Sequence, residues 1–383
     1  MTAHSAYRLT ATAAFGVEAV VADELRALGY ADLSVENGRV SFDGGAPDIA
    51  RCNIRLRTAD RLLIRMADFG ATDFEELFQG TKQVAWEELI PKNGRMHVTG
   101  KSVRSKLKSV PDCQSIVKKA VVEAMRRRYI CARFPEDGPV YKIEAAILSD
   151  RVTLTVDTTG PGLHKRGHLT ARGEAPLKET LAAAMVRLAR WQPGRALADP
   201  FCGSGTIPIE AALIGLNIAP GVGRPFISEA WPTMPQALWR EAREKARQEV
   251  ADGARRGVRL EITASDADPA AIEIARQNAK RAGVAGAIAF RIAPAAEFAS
   301  DARRGCIVCN PPYGMRTQGA QVAEAYRTLG EVWRRLDGWS LFALSADARF
   351  ERLFGRKADK KRKLYNGRIE CNLYQFLGPP WRA

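Results

Sequence analysis

Residues 196–208 read Ala-Leu-Ala-Asp-Pro-Phe-Cys-Gly-Ser-Gly-Thr-Ile-Pro, and this stretch decides the fold. An apolar strand runs into a glycine-rich turn, and the apolar positions after the turn continue as a helix to about residue 216. A strand, a tight turn and a helix in this order bind nucleotide-like ligands at the carboxyl edge of a parallel sheet. We therefore predict an α/β domain whose binding site includes this turn.

The turn argues against two common ligands and favours a third. A phosphate-binding P-loop needs Gly-Lys-Ser/Thr after its glycines, which this stretch lacks. A dinucleotide site needs a third glycine where this chain has Pro208, which also lacks a backbone N–H for pyrophosphate. Asp199 can pair with an ammonium group, and Asp266, at the end of the second strand, can accept two ribose hydroxyls. These groups describe S-adenosylmethionine. The predicted cofactor contacts are Asp199, Pro200, Gly203, Gly205, Thr206, Asp266, Ala267 and Asn310.

The rest of this half of the chain alternates between strands and helices. Apolar runs at 260–264, 287–292 and 306–309 follow the first strand. Asp268 and Pro269 are favoured at the N-cap and the first position of a helix, so a helix is predicted to begin there. Such alternation predicts a parallel, doubly wound sheet. Asp199 and Asp266 lie 67 positions apart, so we expect an insertion between the first helix and the second strand, at about residues 217–256.

Asn310-Pro311-Pro312-Tyr313 follows the fourth strand and is the predicted catalytic loop. An exocyclic amine on a base is a poor nucleophile because its lone pair is delocalised into the ring. The Asn310 side-chain oxygen and the Pro311 carbonyl can accept its two hydrogens and direct the lone pair at a methyl donor, without a strong base. The prolines stiffen the loop, and Tyr313 can stack on a base that has left its helix.

Charge is concentrated in two windows. The 383 residues carry 58 basic and 43 acidic side chains, a net charge of +15. Ten basic and two acidic residues lie between 101 and 133, and eight basic and one acidic between 352 and 368, which leaves the remainder neutral. Two basic patches are typical of a protein that binds a polyanion at two places. The predicted nucleic-acid contacts are Lys101, Arg104, Lys118, Lys119, Arg126, Arg127, Lys165, Arg166, Lys360, Lys361 and Arg362.

The first 160 residues have a different pattern, that of α+β structure. A strand from Tyr7, an amphipathic helix ending before Gly29, and a hairpin at Asn37-Gly38 are predicted in the first 60 residues. A basic helix at 115–129, which carries part of the first patch, and a hairpin over 140–156 follow. A turn-rich segment at 158–162 ends this part, and we place domains at 1–60, 61–160 and 161–383.

The cysteines and the termini exclude several classes of protein. Seven scattered cysteines and the absence of a signal peptide or of eighteen consecutive apolar residues indicate a reduced, cytoplasmic protein without a membrane span. Cys306 and Cys309 are interpreted as buried strand residues and not as half of a zinc site, because no second pair accompanies them. We expect no metal, and a monomer.

Six stretches together carry a family resemblance. They are residues 11–18 (Ala-Thr-Ala-Ala-Phe-Gly-Val-Glu), 163–168, 175–182, 199–206, 310–314 and 360–367 (Lys-Lys-Arg-Lys-Leu-Tyr-Asn-Gly). With them the chain resembles the THUMP-domain class I RNA methyltransferases, in particular bacterial enzymes that methylate the exocyclic amine N2 of guanine in 23S ribosomal RNA. The resemblance implies a ferredoxin-like domain and a THUMP domain that grips RNA, followed by a Rossmann-like domain that holds S-adenosylmethionine.

Other functions remain open on the sequence. Within the family, the alternative substrate is a guanine in the acceptor stem of tRNA. A DNA adenine methyltransferase uses the same amine chemistry, although the N-terminal module argues against it. A catalytically inactive RNA-binding factor in ribosome assembly is the alternative from another class, and the presence of Asp199, Asp266 and Asn310 argues against it.

Overall fold

The computed structural model describes residues 6–131, 133–169, 177–255, 257–313 and 319–379. Gly314, the last residue of the 310–314 stretch, lies outside these ranges, as do the first two residues of the 175–182 stretch. No helix within the described ranges is both long enough and apolar enough to span a bilayer.

The N-terminal part folds around one sheet of seven strands with the order β2-β3-β1-β4-β7-β6-β5. Its elements are β1 (Tyr7–Thr12), α1 (Glu18–Ala27), β2 (Ser34–Glu36), β3 (Arg39–Gly44), α2 (Ala46–Arg55), β4 (Arg61–Gly70), α3 (Phe74–Lys82), β5 (Arg95–Val103), α4 (Val110–Met125), β6 (Val140–Leu148) and β7 (Arg151–Asp157). The β2–β3 hairpin turns at Gly38, whose φ of 75° suits glycine. Strand β4 pairs with β1 on one side and β7 on the other, so the first two predicted domains share a continuous sheet.

The predicted basic helix differs from the observed one. Helix α4 begins at Val110, five residues before the predicted start, and ends at Met125. Ser109 and Pro111 explain the early start, because proline suits the first turn of a helix. Arg126, Arg127 and Arg128 therefore lie in the turn after the helix and not on its face.

The C-terminal part has a second seven-stranded sheet with the order β10-β9-β8-β11-β12-β14-β13. Its elements are α5 (Glu179–Leu188), β8 (Ala196–Asp199), α6 (Thr206–Gly215), α7 (Gln236–Arg255), β9 (Ile262–Asp266), α8 (Pro269–Arg281), β10 (Ala289–Ile292), β11 (Gly305–Cys309), α9 (Gly319–Arg335), β12 (Ser340–Ser345), α10 (Phe350–Phe354), β13 (Lys360–Asn366) and β14 (Ile369–Phe376). Strands β8 to β12 are parallel, as predicted. Strand β14 runs antiparallel to both of its neighbours, so the sheet is mixed.

The second basic window is therefore part of the sheet. The sequence analysis treats residues 356–368 as a basic tail, whereas most of this stretch forms the edge strand β13 and its turn into β14. Charged side chains on an edge strand discourage pairing with a second sheet, which gives these lysines a structural role as well.

The insertion between α6 and β9 joins the two sheets. The ring of Trp231 stacks on Tyr141 with centroids 4.6 Å apart, and its indole N–H donates to the Val140 carbonyl at 3.0 Å. Ser228 donates its hydroxyl to the Thr158 carbonyl at 2.7 Å. A single cluster of buried apolar residues extends from Leu9 in β1 to residues of β14. The insertion therefore links the N-terminal half, which is predicted to bind RNA, to the C-terminal half, which contains the glycine turn, through polar and aromatic contacts.

Candidate active site

Three predicted polar residues meet at one edge of the second sheet. Asp199, Asp266 and Asn310 stand at or directly after the carboxyl ends of β8, β9 and β11. Strand β8 pairs with both β9 and β11, so the three ends are neighbours in space. This is the edge at which open α/β sheets bind ligands. Of the other predicted cofactor contacts, Pro200 and Thr206 are buried, and Ala267 is exposed.

The two glycines of the turn have different tasks. Gly203 has a φ of 50°, and a methyl group added to it would meet no atom within 4 Å, so this side of the turn is open to a ligand. Gly205 has a φ of 83° at the start of α6, and a methyl group there would lie 3.0 Å from Cβ of Ala275. We infer that Gly203 provides the approach for a cofactor, while Gly205 provides the chain reversal and the close contact with α8.

Asp266 is fixed by the backbone on both sides. One carboxylate oxygen accepts the Gly203 N–H at 3.0 Å, and the other accepts the Asp268 N–H at 3.1 Å. Each carboxylate oxygen can accept a further hydrogen bond, so the group can still bind two hydroxyls. Asp268 begins α8 and accepts the Ala270 N–H, as the sequence predicts.

Asp199 is almost fully buried, with 2 % of its surface exposed. Its carboxylate accepts the Phe201 N–H at 3.1 Å. Burial raises the pKa of Asp199 well above its usual range, and the nearby charge of Asp266 raises it further. A cationic partner would stabilise the ionised form. The ammonium group of S-adenosylmethionine fits this requirement, and the open side of Gly203 fits the rest of its amino acid moiety.

Asn278 is a residue that sequence reasoning missed. It is fully buried in α8, and its side-chain N–H donates to the Ser204 carbonyl at 3.0 Å, which fixes the glycine turn. Its side-chain oxygen is buried without a hydrogen-bond partner in the described structure. The available signal was a polar residue at a core position of the helix, between Ala275 and Ala279.

The Asn310 side-chain oxygen is buried and has no hydrogen-bond partner among the described residues. Buried polar atoms are nearly always paired, so an orphaned acceptor at the edge of a ligand site indicates that a ligand donor belongs there. Pro311, the second residue of the predicted catalytic loop, is buried, and Pro312 is partly exposed. The predicted catalytic loop therefore contains a side-chain oxygen that can accept a hydrogen bond from the target amine.

Tyr313 is tied to the edge hairpin through its hydroxyl group. The hydroxyl accepts from the Asn366 amide at 3.2 Å and lies 3.8 Å from the Cys371 sulfur. Burial raises the pKa of Tyr313, and the Cys371 side chain adds to the effect, so the phenol stays protonated. Stacking of its ring on a flipped base stays a prediction.

The cysteines near the site are inert. Burial raises the pKa of both Cys202 and Cys309, and the charge of Asp199 raises both further. Protonated thiols are poor nucleophiles, so neither competes for an activated methyl group. Cys306 and Cys309 are both buried and belong to the apolar clusters on opposite faces of the sheet, as the strand interpretation requires. Within the described ranges, no group of three or more metal-ligating side chains occurs.

The basic residues of the first window do not form one surface. Gly100 faces α4, since a methyl group there would lie 3.2 Å from the Gln114 side chain, so the adjacent Lys101 points to the other face of the sheet. Several predicted RNA contacts are also paired with carboxylates: Lys101 with Glu144, Lys118 with Glu136, Arg126 with Glu123 and Arg127 with Glu87.

Other cations of this window form no ion pair with any residue that the structure describes. Arg104, Lys106 and Lys108 are exposed in the loop between β5 and α4. The exposed Lys119 has its ammonium group 5.7 Å from the ring centroid of Phe78. The loop between β5 and α4 is therefore the strongest candidate in this window for contact with phosphate.

Along β13 the predicted RNA contacts have different surroundings. Lys360 is exposed, Lys361 pairs with Glu351 at 2.9 Å, and Arg362 donates to the Gly16 carbonyl at 3.1 Å. Lys360, at one end of β13, is paired with Gln375 of β14, which in turn lies opposite the start of β12. Asn366, at the other end of β13, lies beside Tyr313. The strand therefore extends the basic surface roughly 20 Å away from the catalytic loop.

Arg166 is not an RNA contact, which corrects the sequence analysis. Its side chain is 1 % exposed and forms an ion pair with the fully buried Glu210 at 2.7 Å. It also donates to the carbonyls of Leu163 and Arg57, so every guanidinium nitrogen has a partner. A buried, fully bonded guanidinium cannot reach a phosphate. The neighbouring Lys165 is exposed and stays a prediction.

Three family models match the chain in sequence order. An RlmL ferredoxin-like domain matches residues 8–63, a THUMP domain matches 71–157, and an RMKL-like methyltransferase domain matches 166–375. These matches cover both sheets described above, and the third includes the glycine turn and the catalytic loop.

Individual proteins are similar over nearly the whole chain. "Putative RNA methyltransferase YpsC" of Bacillus subtilis is 48% identical, and the alignment covers 97% of this chain and 96% of that protein. "Ribosomal RNA large subunit methyltransferase K/L" of Syntrophotalea carbinolica is 36% identical over 96% of this chain, which spans only 53% of that protein. The crystal structure of SMU.472, solved in complex with SAH, is 44% identical, with a TM-score of 0.91 over 99% of this chain and 100% of that one.

Proposed function

The chain belongs to the family of RMKL-like methyltransferases that carry a ferredoxin-like and a THUMP domain, and from this premise we propose guanine-N2 methylation of 23S ribosomal RNA. The methyl donor in this proposal is S-adenosylmethionine. The observation that carries the proposal is the buried, unpartnered oxygen of Asn310 at the carboxyl edge of the sheet, one residue before Pro311.

Four residues would hold the cofactor. Asp199 accepts its ammonium group, Asp266 accepts the ribose hydroxyls, and the open side of Gly203 lies against its amino acid backbone. Asn278 keeps the turn in place from behind through its bond to the Ser204 carbonyl. When bound, S-adenosylmethionine supplies an electrophilic methyl group on a sulfonium. SAH in the similar SMU.472 structure supports this assignment.

Asn310 and Pro311 position the amine. The Asn310 oxygen accepts one hydrogen of the amine and the Pro311 carbonyl accepts the other, which turns the nitrogen lone pair out of the plane of the base. Both acceptors are fixed dipoles that need no reorganisation during the reaction. The proposed mechanism needs no ionised base next to the amine, because the nitrogen loses its extra proton to water after the methyl group has been transferred.

The name of the K/L relative favours ribosomal RNA over tRNA, and the THUMP domain favours RNA over DNA. A guanine in a tRNA acceptor stem stays the alternative substrate. Loss of catalysis in an RNA-binding assembly factor is disfavoured, because Asp199, Asp266 and Asn310 stand together at one sheet edge. An adenine of DNA is disfavoured because a ferredoxin-like domain and a THUMP domain, the latter predicted to bind RNA, precede the catalytic domain.

Transfer of label tests this proposal. The purified protein is incubated with S-adenosylmethionine labelled in its methyl group and, separately, with 23S rRNA, tRNA and DNA from a strain that lacks the protein. We expect label in 23S rRNA, released on digestion as N2-methylguanosine. Label in tRNA would support the alternative substrate, label as N6-methyladenosine in DNA would overturn the guanine assignment, and no label in any of the three would support the inactive factor.

A further inference from the structure

Two stretches that the catalytic site leaves unexplained meet in the structure, although they are more than 340 residues apart. The loop between β1 and α1 packs on the edge strand β13. Gly16 has a φ of 88°, and a methyl group there would overlap the Lys363 carbonyl oxygen. Arg362 donates to the Gly16 carbonyl at 3.1 Å. Close approach and a hydrogen bond therefore fix the loop against β13.

The same loop is also rigid from its own side. The Glu18 carboxylate accepts the N–H groups of Gly16 at 2.8 Å and of Gly38 at 2.9 Å. The Ala13 N–H donates to the Gly38 carbonyl at 2.9 Å. The residue between these anchors, Phe15, is consequently presented by a backbone that is held at several points.

Phe15 remains 46% exposed on this rigid loop. Its ring meets Tyr365 of β13 nearly perpendicularly, with centroids 6.0 Å apart and an interplanar angle of 83°. An edge-to-face contact fixes the direction of a ring while leaving much of its surface uncovered. Nearly half of the surface of Phe15 is therefore available for contact with a ligand.

The position of the aromatic pair connects it with the catalytic loop. Tyr365 directly precedes Asn366, and Asn366 donates to the Tyr313 hydroxyl at 3.2 Å. One residue of a strand spans roughly 3.3 Å, so the backbones of Tyr365 and Asn366 are adjacent at the edge of the sheet, while their side chains point to opposite faces. RNA that enters at the catalytic loop would have to pass this edge to reach the aromatic pair.

Two cations and one carboxylate lie around the pair. Lys363 holds its ammonium group 5.7 Å from the ring centroid of Tyr365 and also pairs with Glu370 at 2.7 Å, while Arg368 is exposed in the turn after β13. An exposed aromatic ring with basic side chains around it matches the chemistry of an unpaired nucleotide, whose base stacks and whose phosphate is negative. Binding of a flat protein surface or of a lipid does not require an exposed aromatic ring beside basic side chains.

We propose that Phe15 is a stacking platform for an unpaired nucleotide next to the target base, with Tyr365 as the residue that orients its ring. This inference rests on the proposed function, because it assumes that RNA enters at the catalytic loop. It assigns a part of substrate recognition to the ferredoxin-like domain, whose residues 15 and 16 contact strand β13 of the catalytic domain.

Steady-state kinetics on 23S rRNA tests the platform. Base stacking on an aromatic ring contributes enough that Phe15→Ala should raise KM for the RNA about tenfold, with kcat and S-adenosylmethionine affinity close to wild type. Phe15→Trp should restore most of the loss, since it keeps a stacking surface. The salt dependence of RNA binding should keep its slope, because no phosphate contact is removed.

Phe74→Ala is the matched control, because Phe74 is also a partly exposed phenylalanine, at 39%, but lies at the start of α3. An unchanged KM in Phe15→Ala, or equal losses in both variants, would overturn the platform. If wild-type protein labels no 23S rRNA, the proposed function fails separately. The platform is then judged by fluorescence anisotropy with the same RNA, where Phe15→Ala must still bind more weakly than Phe74→Ala.

Discussion

Two regions of the catalytic domain bury polar side chains, and they differ in whether those side chains have partners. Beneath the domain junction, Arg166 and Glu210 form a closed set in which every guanidinium nitrogen is bonded. At the carboxyl edge of the sheet, the Asn310 oxygen has no partner and the carboxyl of Asp199 has no cation within the described structure. The first region stabilises the fold, and we infer that the second region binds ligands.

The distinction follows from the free energy of burial. A buried polar group without a partner loses its hydration and gains nothing in return, so folding alone does not favour it. Where such a group lies at a ligand site, the ligand can supply the missing interaction. The comparison therefore predicts that substitutions in the first region lower stability, while substitutions in the second lower binding or catalysis and leave the fold intact.

The largest expected effect is on stability, at the junction. Arg166→Met leaves the charge of Glu210 buried and uncompensated, which should lower the free energy of unfolding by about 3–5 kcal/mol. Thermal unfolding followed by circular dichroism measures the loss. Lys165→Met, at the exposed neighbour, is the control and should change stability by no more than about 0.5 kcal/mol. Similar behaviour of the two variants would contradict the assigned role of Arg166.

The next effect is on catalysis. Asn310→Ala removes the acceptor that positions the amine, and kcat should fall by about 10² to 10³. Because Asn310 has no partner to lose, the melting temperature should stay close to that of the wild type. Methyl transfer to 23S rRNA and calorimetric titration with S-adenosylmethionine separate the two properties. A variant that keeps its activity would refute the role of the Asn310 oxygen.

The third effect is on cofactor affinity and its dependence on pH. Burial raises the pKa of the free Asp199 carboxyl, and an ammonium group binds its ionised form, so binding should release a proton and affinity should rise with pH until the free carboxyl is ionised. Asp199→Asn should bind about 10- to 100-fold more weakly and without this pH dependence. Titration calorimetry in buffers of different ionisation heat detects the released proton.

Asp199 also gives a test in the absence of ligand. Because its pKa in the folded protein is raised, the unliganded protein loses stability as pH increases toward and through that value. Asp199→Asn removes this loss, so the free variant should melt at a higher temperature than the wild type at neutral pH. An equal or lower melting temperature would mean that the buried carboxyl has a partner in the fold.

The smallest effect per residue is expected on the surface. Neutralising Arg104, Lys106 and Lys108 to glutamine should lower the salt slope of RNA binding by roughly 2 to 3, as expected for three lost phosphate contacts. The control triple variant replaces the carboxylate-paired Lys101, Lys118 and Arg126 and should change the slope less. The opposite order would mean that the carboxylate-paired cations, and not the loop between β5 and α4, contact phosphate.

Local patterns predicted most elements of the fold. Strand β8, the glycine turn, the Asp268 helix start and the Asn37-Gly38 hairpin all follow from residues within a few positions of one another. The predicted start of α4 at residue 115 was too late, because the prediction followed the basic residues and not Pro111, which favours a helix start five residues earlier. Residues 356–368 were interpreted as an RNA-binding tail and not as a strand, because a charged sequence does not reveal that β14 will pair with it.

The sequence by itself determined the residues on which the proposed chemistry rests: the acid before the glycine turn, the acid at the end of the second strand and the Asn-Pro-Pro-Tyr loop after the fourth. Tertiary structure decided which polar groups find partners. Arg166 is satisfied by Glu210, 44 positions away, Tyr313 by Asn366, 53 positions away, and Gly16 by Arg362, 346 positions away. Strand and turn preferences act between neighbours in the chain, whereas burial and pairing depend on contacts that exist only after the two sheets have packed together.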